Sequence, residues 1–122
     1  QKYFDKGDPY QCYCQKTTRL MNEKFQEILI ETTFQSRFGP DKWLTPYTDK
    51  TLEDLPNKGK KNILMICPGF SSDCVETLEE INIQARETFI NCGGERFEFI
   101  PCLNDNPDHI YLLESLVKKY LI

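Results

Sequence analysis

Residues 62–94 read NILMICPGFSSDCVETLEEINIQARETFINCGG, and this stretch decides the fold. Its first part, residues 62–67, is a short apolar run of the kind that forms a buried strand. Residues 73–92 carry apolar side chains at helical spacing and are followed by Gly93 and Gly94, so they predict a long helix with glycine after its last turn. Together these segments predict a strand, a turn and a helix, the unit from which parallel sheets are built.

Helices and strands alternate in the rest of the chain as well. The predicted elements are a loop over residues 1–11, a helix over 16–29, a strand over 30–36, a long connection over 37–47, a short helix over 48–55, a strand over 96–100, and a last helix that begins with Asn106 as N-cap and Pro107 at its first position and runs to the C-terminus. This order favours an α/β fold in which a parallel sheet has helices on both faces, a three-layer Rossmann-type arrangement. We expect residues 1–122 to form a single α/β unit.

Composition excludes several classes of function. With 28% charged residues, 39% hydrophobic residues and a net charge of −4, the chain is typical of a soluble globular domain and has no basic stripe for nucleic acid. The longest apolar run, residues 63–66, is too short to span a bilayer, and the first residues lack the pattern of a signal peptide. Because the chain does not begin with Met, we expect Gln1 to be an internal residue of a longer protein.

Six cysteines are scattered along the chain, and only Cys12 and Cys14 are close together. Several lie in apolar runs, which favours buried, reduced thiols over disulfide staples. Paired Cys-x-x-Cys spacing, the usual sign of a structural zinc site, is absent from the sequence. No spacing argues for an iron–sulfur cluster either, although the residues alone leave one open.

The acidic start of the predicted long helix has two interpretations. A helical wheel places Leu78, Ile81, Ala85 and Phe89 on one stripe and Glu76, Glu80, Gln84 and Glu87 on the opposite face. In the first interpretation this face is simply solvated, with Asp73 as N-cap and Glu76 as its partner in a capping box. In the second, Glu76 and Glu80 are one turn apart and bind a divalent metal in an incomplete, exchangeable shell suited to transfer. Ile83 on the acidic face indicates that something covers part of it.

Four segments carry a resemblance to a known family. GDPYQCYCQKT, FQSRFGPDKWLTPYTD, CPGFSSDCVETLEEI and GGERFEFIPCLNDNP, in this order, resemble the carboxyl-terminal part of ferrochelatase, a lyase that inserts ferrous iron into protoporphyrin. The resemblance implies a chelatase-like α/β fold that forms one half of a two-lobed enzyme. It also implies that the family's Ser-x-His-Gly-x-Pro segment, with the catalytic histidine, falls just before Gln1. We therefore expect this chain to lack the upstream half and to be inactive in isolation.

The resemblance also implies roles for individual residues. Glu76 takes the place of the catalytic glutamate of the family, and Glu76 and Glu80 become the expected metal-binding residues. Gln84 continues their line along a helix that is widened into a π-helix in this family, but it stands where the family often has a third acidic residue. Trp43 and Phe70 correspond to residues that line the porphyrin cleft and are the expected substrate-binding residues.

The resemblance implies ferrous iron and protoporphyrin as the substrates. It implies no cofactor-binding residue in this chain and does not support an iron–sulfur cluster. No nucleic-acid partner is expected. The expected location is the cytoplasm in a bacterium or the mitochondrion in a eukaryote; association with a membrane surface and the oligomeric state stay open. Two alternatives also stay open: a related chelatase that acts on coproporphyrin, and a non-catalytic ferrochelatase-like module. The single histidine, His109, is predicted to be a surface or capping residue in the last helix.

Overall fold

The computed structural model describes residues 2–37 and 39–121. In chain order its elements are a 3-10 helix Phe4–Lys6, α1 Tyr10–Lys24, α2 Thr48–Asp54, a second 3-10 helix Pro56–Lys58, β1 Asn62–Met65, a π-helix Glu76–Ala85 that continues into α3 Arg86–Asn91, β2 Arg96–Phe99 and α4 Pro107–Lys118. The two strands pair in parallel, with Ile63 opposite Phe97 and Met65 opposite Phe99. The predicted α/β fold with a parallel sheet is confirmed.

The hydrophobic core lies on one face of this small sheet. Because side chains alternate along a strand, Ile63, Met65, Phe97 and Phe99 point to the same side, where α2, the π-helix and α3 pack. The buried core residues are Leu52, Ile81, Ala85, Phe89 and Phe97. The rings of Phe89 and Phe97 are 6.1 Å apart and tilted by 55°, a favourable aromatic geometry. On the other face of the sheet Leu64 is 60% exposed.

The π-helix changes which side chains face the core. Its buried line is Thr77, Ile81, Ala85 and, in α3, Phe89, each four residues after the one before. Side chains four residues apart lie on the same side of a helix, so these residues form one line that faces the core. The wheel prediction is therefore wrong for Leu78, which is 47% exposed, because Thr77 takes its place in the core.

Two predicted elements near the amino terminus have different bounds. Helix α1 runs over Tyr10–Lys24 instead of residues 16–29. At its start the Asp8 carboxylate accepts a hydrogen bond from the Tyr10 N–H at 2.9 Å, and at its end Phe25 leaves the helical conformation with ψ of 64°. The strand predicted over residues 30–36 is reduced to one parallel bridge between Phe34 and Tyr47. The threonines of this segment form side-chain hydrogen bonds instead of strand pairs; for example, Thr48 Oγ1 donates to Thr33 Oγ1 at 2.8 Å.

Helix α4 begins as predicted, since the Asn106 side chain accepts a hydrogen bond from the Asp108 N–H at 2.9 Å and Pro107 occupies the first helical position. It ends at Lys118, before the C-terminus. Gln1, Phe38 and Ile122, which belong to the predicted first loop, long connection and last helix, lie outside the described residues. Within the described part of the chain, no helix has the length and apolar character needed to cross a membrane.

The turn after α3 offers a test of the packing. A β-carbon at Gly94 would overlap the ring of Phe89, which is fully buried, whereas one at Gly69 would meet only the Tyr10 hydroxyl at 3.7 Å. We expect Gly94→Ala to lower the free energy of unfolding by about 1–3 kcal/mol, because the core must shift to accept the methyl group. Gly69→Ala, the matched control, should change it by less than about 0.5 kcal/mol. Urea denaturation measures both values, and equal stabilities for the two variants would contradict this description of the core.

Candidate functional site

Two loops meet beyond the carboxyl ends of the paired strands, where ligands bind in parallel α/β folds. Loop L1 (residues 66–74) follows β1 and loop L2 (residues 100–106) follows β2. The Asp73 carboxylate joins them, since it accepts hydrogen bonds from Asn104 Nδ2 at 2.8 Å and from the Cys102 N–H at 3.2 Å. In return the Asp73 N–H donates to Asn104 Oδ1 at 2.8 Å. The two loops are therefore fixed to each other by a reciprocal pair.

Asp73 also fixes the start of the π-helix. The Thr77 hydroxyl, which is fully buried, donates to Asp73 Oδ1 at 2.9 Å and accepts from the Cys74 N–H at 3.0 Å. The predicted N-cap role of Asp73 is wrong, because its oxygens bind L2 and the Thr77 hydroxyl instead of a helix N–H. The predicted capping box with Glu76 is wrong for the same reason.

Glu76 and Glu80 lie one turn apart near the start of the π-helix, and both side chains are half-buried. Their line, continued by Gln84, is adjacent to the buried line that starts at Thr77. The two carboxylates therefore stand at the edge of the core. Of the four residues on the predicted solvated face, Gln84 and Glu87 are exposed.

A second segment supports these carboxylates from outside the helix. Ser36 Oγ donates to Glu80 Oε2 at 2.5 Å, and Gln35 Nε2 donates to the backbone carbonyl of Glu76 at 3.2 Å. Trp43 in turn holds this segment, since its indole Nε1 donates to the Gln35 carbonyl at 3.1 Å. Trp43, Glu76 and Glu80 are thus brought into one network by two residues that the sequence did not single out.

Ser36 adopts a left-handed backbone conformation with φ of 59°. This region costs a non-glycine residue roughly 1–2 kcal/mol. Strained residues are concentrated at functional sites, where surrounding contacts hold them in place. Here the strained backbone carries the hydroxyl that binds Glu80.

The electrostatics of Glu76 favour its ionised form. Hydrogen bonds from the Cys74 side chain and from the backbone N–H of Glu76 itself hold the pKa of this carboxyl below its ordinary value of 4.5. An ionised carboxylate near neutral pH can accept either a metal ion or a proton.

Phe70 lies in L1, where its N–H donates to the Cys67 carbonyl at 3.0 Å and its side chain is half-buried.

An open groove of about 550 Å³ runs along the π-helix, beside the line of Glu76, Glu80 and Gln84. Its lining residues are Cys74, Val75, Leu78, Glu79, Ile83 and Gln84. In the described part of the chain, no three His, Cys, Asp or Glu side chains come together as a complete metal site.

All six cysteines are free, as predicted, but Cys12 and Cys92 are exposed and the other four are only half-buried. Burial raises the pKa of the Cys67 and Cys102 thiols to about 11, with a further contribution to Cys102 from Asp73. These two thiols near the strand ends are therefore protonated and unreactive at neutral pH.

His109 differs most from its prediction. It is buried, with 8% exposure, and both ring nitrogens have partners: Nδ1 lies 2.8 Å from the Asn104 carbonyl and Nε2 lies 2.9 Å from Ser71 Oγ. The prediction of a surface or capping residue is wrong, because α4 turns its first-turn face toward L1 and L2. The asparagines of the LNDNP segment were the available signal that this loop makes side-chain contacts.

The hydrogen bonds to Asp73 have a consequence for acid stability. The Asn104 amide, the Cys102 N–H and the Thr77 hydroxyl hold the pKa of Asp73 below its ordinary value of 3.8. The stability contributed by the ionised form is therefore complete above the unfolded-state pKa and is lost as pH falls through the folded-state pKa. We expect Asp73→Asn to be less stable than wild type at pH 7 but to lose less stability below about pH 4.

Thermal unfolding at pH 7 and at a series of acid pH values measures this difference. Asp105→Asn, an exposed aspartate in the same loop, is the control and should keep the wild-type acid dependence. An acid loss in Asp73→Asn as large as in wild type would contradict the role given to Asp73.

Comparison with known proteins identifies the family. A family model described as Ferrochelatase matches residues 1–121. The chain is 54% identical over 123 residues to the ferrochelatase of Rhizobium meliloti (strain 1021), with 99% of the chain and 36% of that protein covered. It is 55% identical over 122 residues to the ferrochelatase of Shewanella denitrificans (94% and 36% covered) and 56% identical over 122 residues to that of Marinobacter nauticus (98% and 33% covered).

The chain thus spans about a third of the length of these relatives and matches their carboxyl-terminal part. The four segments quoted above all fall within the residues that the family model covers. The resemblance noted in the sequence is confirmed, and the chain belongs to the ferrochelatase family.

Proposed function

We propose that this chain is the part of a ferrochelatase that carries the metal- and proton-handling carboxylates for insertion of ferrous iron into protoporphyrin IX. The observation that carries the proposal is the pair Glu76 and Glu80, half-buried one turn apart on a π-helix and supported from the segment that contains Trp43. Membership of the ferrochelatase family supports the same activity.

The chemistry of metal insertion explains why carboxylates are needed. Two protons must leave the pyrrole nitrogens before the metal can bind, and the transition state gains from bases held beside those nitrogens. Hydrogen bonds hold the pKa of Glu76 below its ordinary value, so this carboxylate is ionised at neutral pH and can receive a cation. Glu80, oriented by Ser36, offers a second oxygen ligand four residues further along the same helix.

The surroundings of the carboxylates suit a flat, apolar macrocycle. Val75, Leu78 and Ile83 line the groove beside them and are 65%, 47% and 52% exposed. Burial of these side chains against a porphyrin ring would gain free energy in proportion to the apolar area covered. Trp43 and Phe70 add aromatic surface, which we assign to the same ligand. Since this chain is about a third of its relatives' length, we expect it to need the rest of the protein for turnover.

Replacement of Glu76 tests this function most simply. In the natural full-length protein, Glu76→Gln should reduce zinc insertion into protoporphyrin by at least about 100-fold, because general acid–base contributions are of that order. The melting temperature should stay near the wild-type value, because a glutamine oxygen can still accept the hydrogen bonds that Cys74 and the Glu76 N–H donate to the carboxylate. Fluorescence of the zinc porphyrin measures the rate.

Glu87→Gln is the matched control, because Glu87 is an exposed glutamate in α3, the helix that continues the π-helix. It should insert zinc at the wild-type rate. Equal rates for Glu76→Gln and wild type, or a large fall in melting temperature in Glu76→Gln, would contradict the proposal and support a purely structural role. Coproporphyrin as substrate in the same assay distinguishes the related chelatase activity from the one proposed.

A further inference from the structure

We propose that His109 is a positioning residue, which sets the place of Phe70 and of the start of the π-helix by holding L1 and L2 together. The effect on substrate binding rests on the proposed function, whereas the effect on the loops does not. His109 itself lies at the start of α4, outside the group of residues assigned to metal or porphyrin.

The hydrogen bonds of the ring assign its protons. A backbone carbonyl can only accept, so Nδ1 of His109 must carry the hydrogen that bonds to the Asn104 carbonyl at 2.8 Å. In the neutral ring Nε2 then accepts from the Ser71 hydroxyl at 2.9 Å. The imidazole therefore connects a backbone atom of L2 to a side chain of L1, and both bonds are shielded because the ring is 8% exposed.

This connection is one of a set that joins the same two loops. The Asn104 N–H donates to the Ser71 carbonyl at 3.1 Å, and Asn104 and Asp73 exchange their reciprocal bonds. Asn104 reaches both partners from a left-handed conformation with φ of 48°. His109 binds the carbonyl of this strained residue and so supports the conformation on which the other bonds depend.

The residues fixed in this way are the immediate neighbours of the proposed site. Ser71 follows Phe70 directly, and Asp73 lies three residues before Glu76. Ser71 and Ser72 are exposed, so L1 is held over this span mainly by hydrogen bonds and little by packing. Loss of one such bond should therefore move the loop without unfolding the core.

Two variants remove the same bond from its two ends. Ser71→Ala deletes the hydroxyl, and His109→Asn keeps a donor near the position of Nδ1 while it removes Nε2. Matched controls are Ser72→Ala, the neighbouring exposed serine, and Ser115→Ala, which removes a hydrogen bond within α4 to the Tyr111 carbonyl. All variants are made in the natural full-length protein.

Hydrogen–deuterium exchange over peptides that contain the amides of Asp73, Cys102 and Asn104 is the first measurement. Each single variant and the double variant should show exchange about 5- to 10-fold faster at these amides, because they remove one and the same interaction. In zinc insertion, KM for protoporphyrin should rise by about 5-fold or more, with a smaller change in kcat. Both controls should match wild type.

Unchanged exchange in L1 and L2, or faster exchange with an unchanged KM, would overturn the positioning role. If the increases in exchange rate caused by Ser71→Ala and His109→Asn add in full in the double variant, Ser71 and His109 act separately. That result would also overturn the positioning role. A wild-type protein that inserts no zinc would contradict the proposed function instead, and the exchange data would then decide the role of His109 alone.

Discussion

The hydrogen bonds of the Asp73 carboxylate are the interaction on which the rest of the site depends. A single side chain holds the loops after both strands together and binds the hydroxyl of Thr77 in the π-helix. Because three donors point at one carboxylate, the ionised form is stabilised and the geometry of the strand ends is fixed. The direction in which the π-helix leaves the sheet, and with it the direction of Glu76, follows from this contact.

One short helical segment serves both the core and the candidate site. Four-residue spacing keeps Thr77, Ile81 and Ala85 buried and at the same time keeps Glu76 and Glu80 in a neighbouring line. Irregular helices of this kind often occur at functional sites. Here the irregular helix carries two half-buried carboxylates four residues apart.

Local sequence patterns were sufficient to predict the two paired strands and the ends of several helices. The apolar run of β1, the glycine pair after α3 and the Asn106-Pro107 start of α4 each depend on neighbouring residues only, and each was predicted correctly. The strand predicted over residues 30–36 was wrong, because strand pairing depends on residues that are distant in the sequence. In this segment only Phe34 forms a bridge, with Tyr47. The π-helix came from the family resemblance and not from periodicity.

The sequence singled out the carboxylates of the candidate site but not the residues that hydrogen-bond to them. Glu76 and Glu80 followed from spacing and resemblance, and the structure places both on one helix. Ser36 and His109 act through partners 44 and 38 residues away in the sequence, a distance that no local pattern encodes. Asp73 was assigned to a cap because an aspartate at a helix start usually caps it; here more distant donors compete for its oxygens.

A zinc-edge anomalous difference map from crystals of the full-length protein soaked in Zn²⁺ tests the central claim most directly. If Glu76 and Glu80 receive the incoming ion, the map should contain a peak about 2.0–2.2 Å from carboxylate oxygens of both residues. A peak elsewhere, with Glu80 still bound to Ser36 and Glu76 still bound within its own helix turn, would contradict the assignment of these carboxylates to the metal.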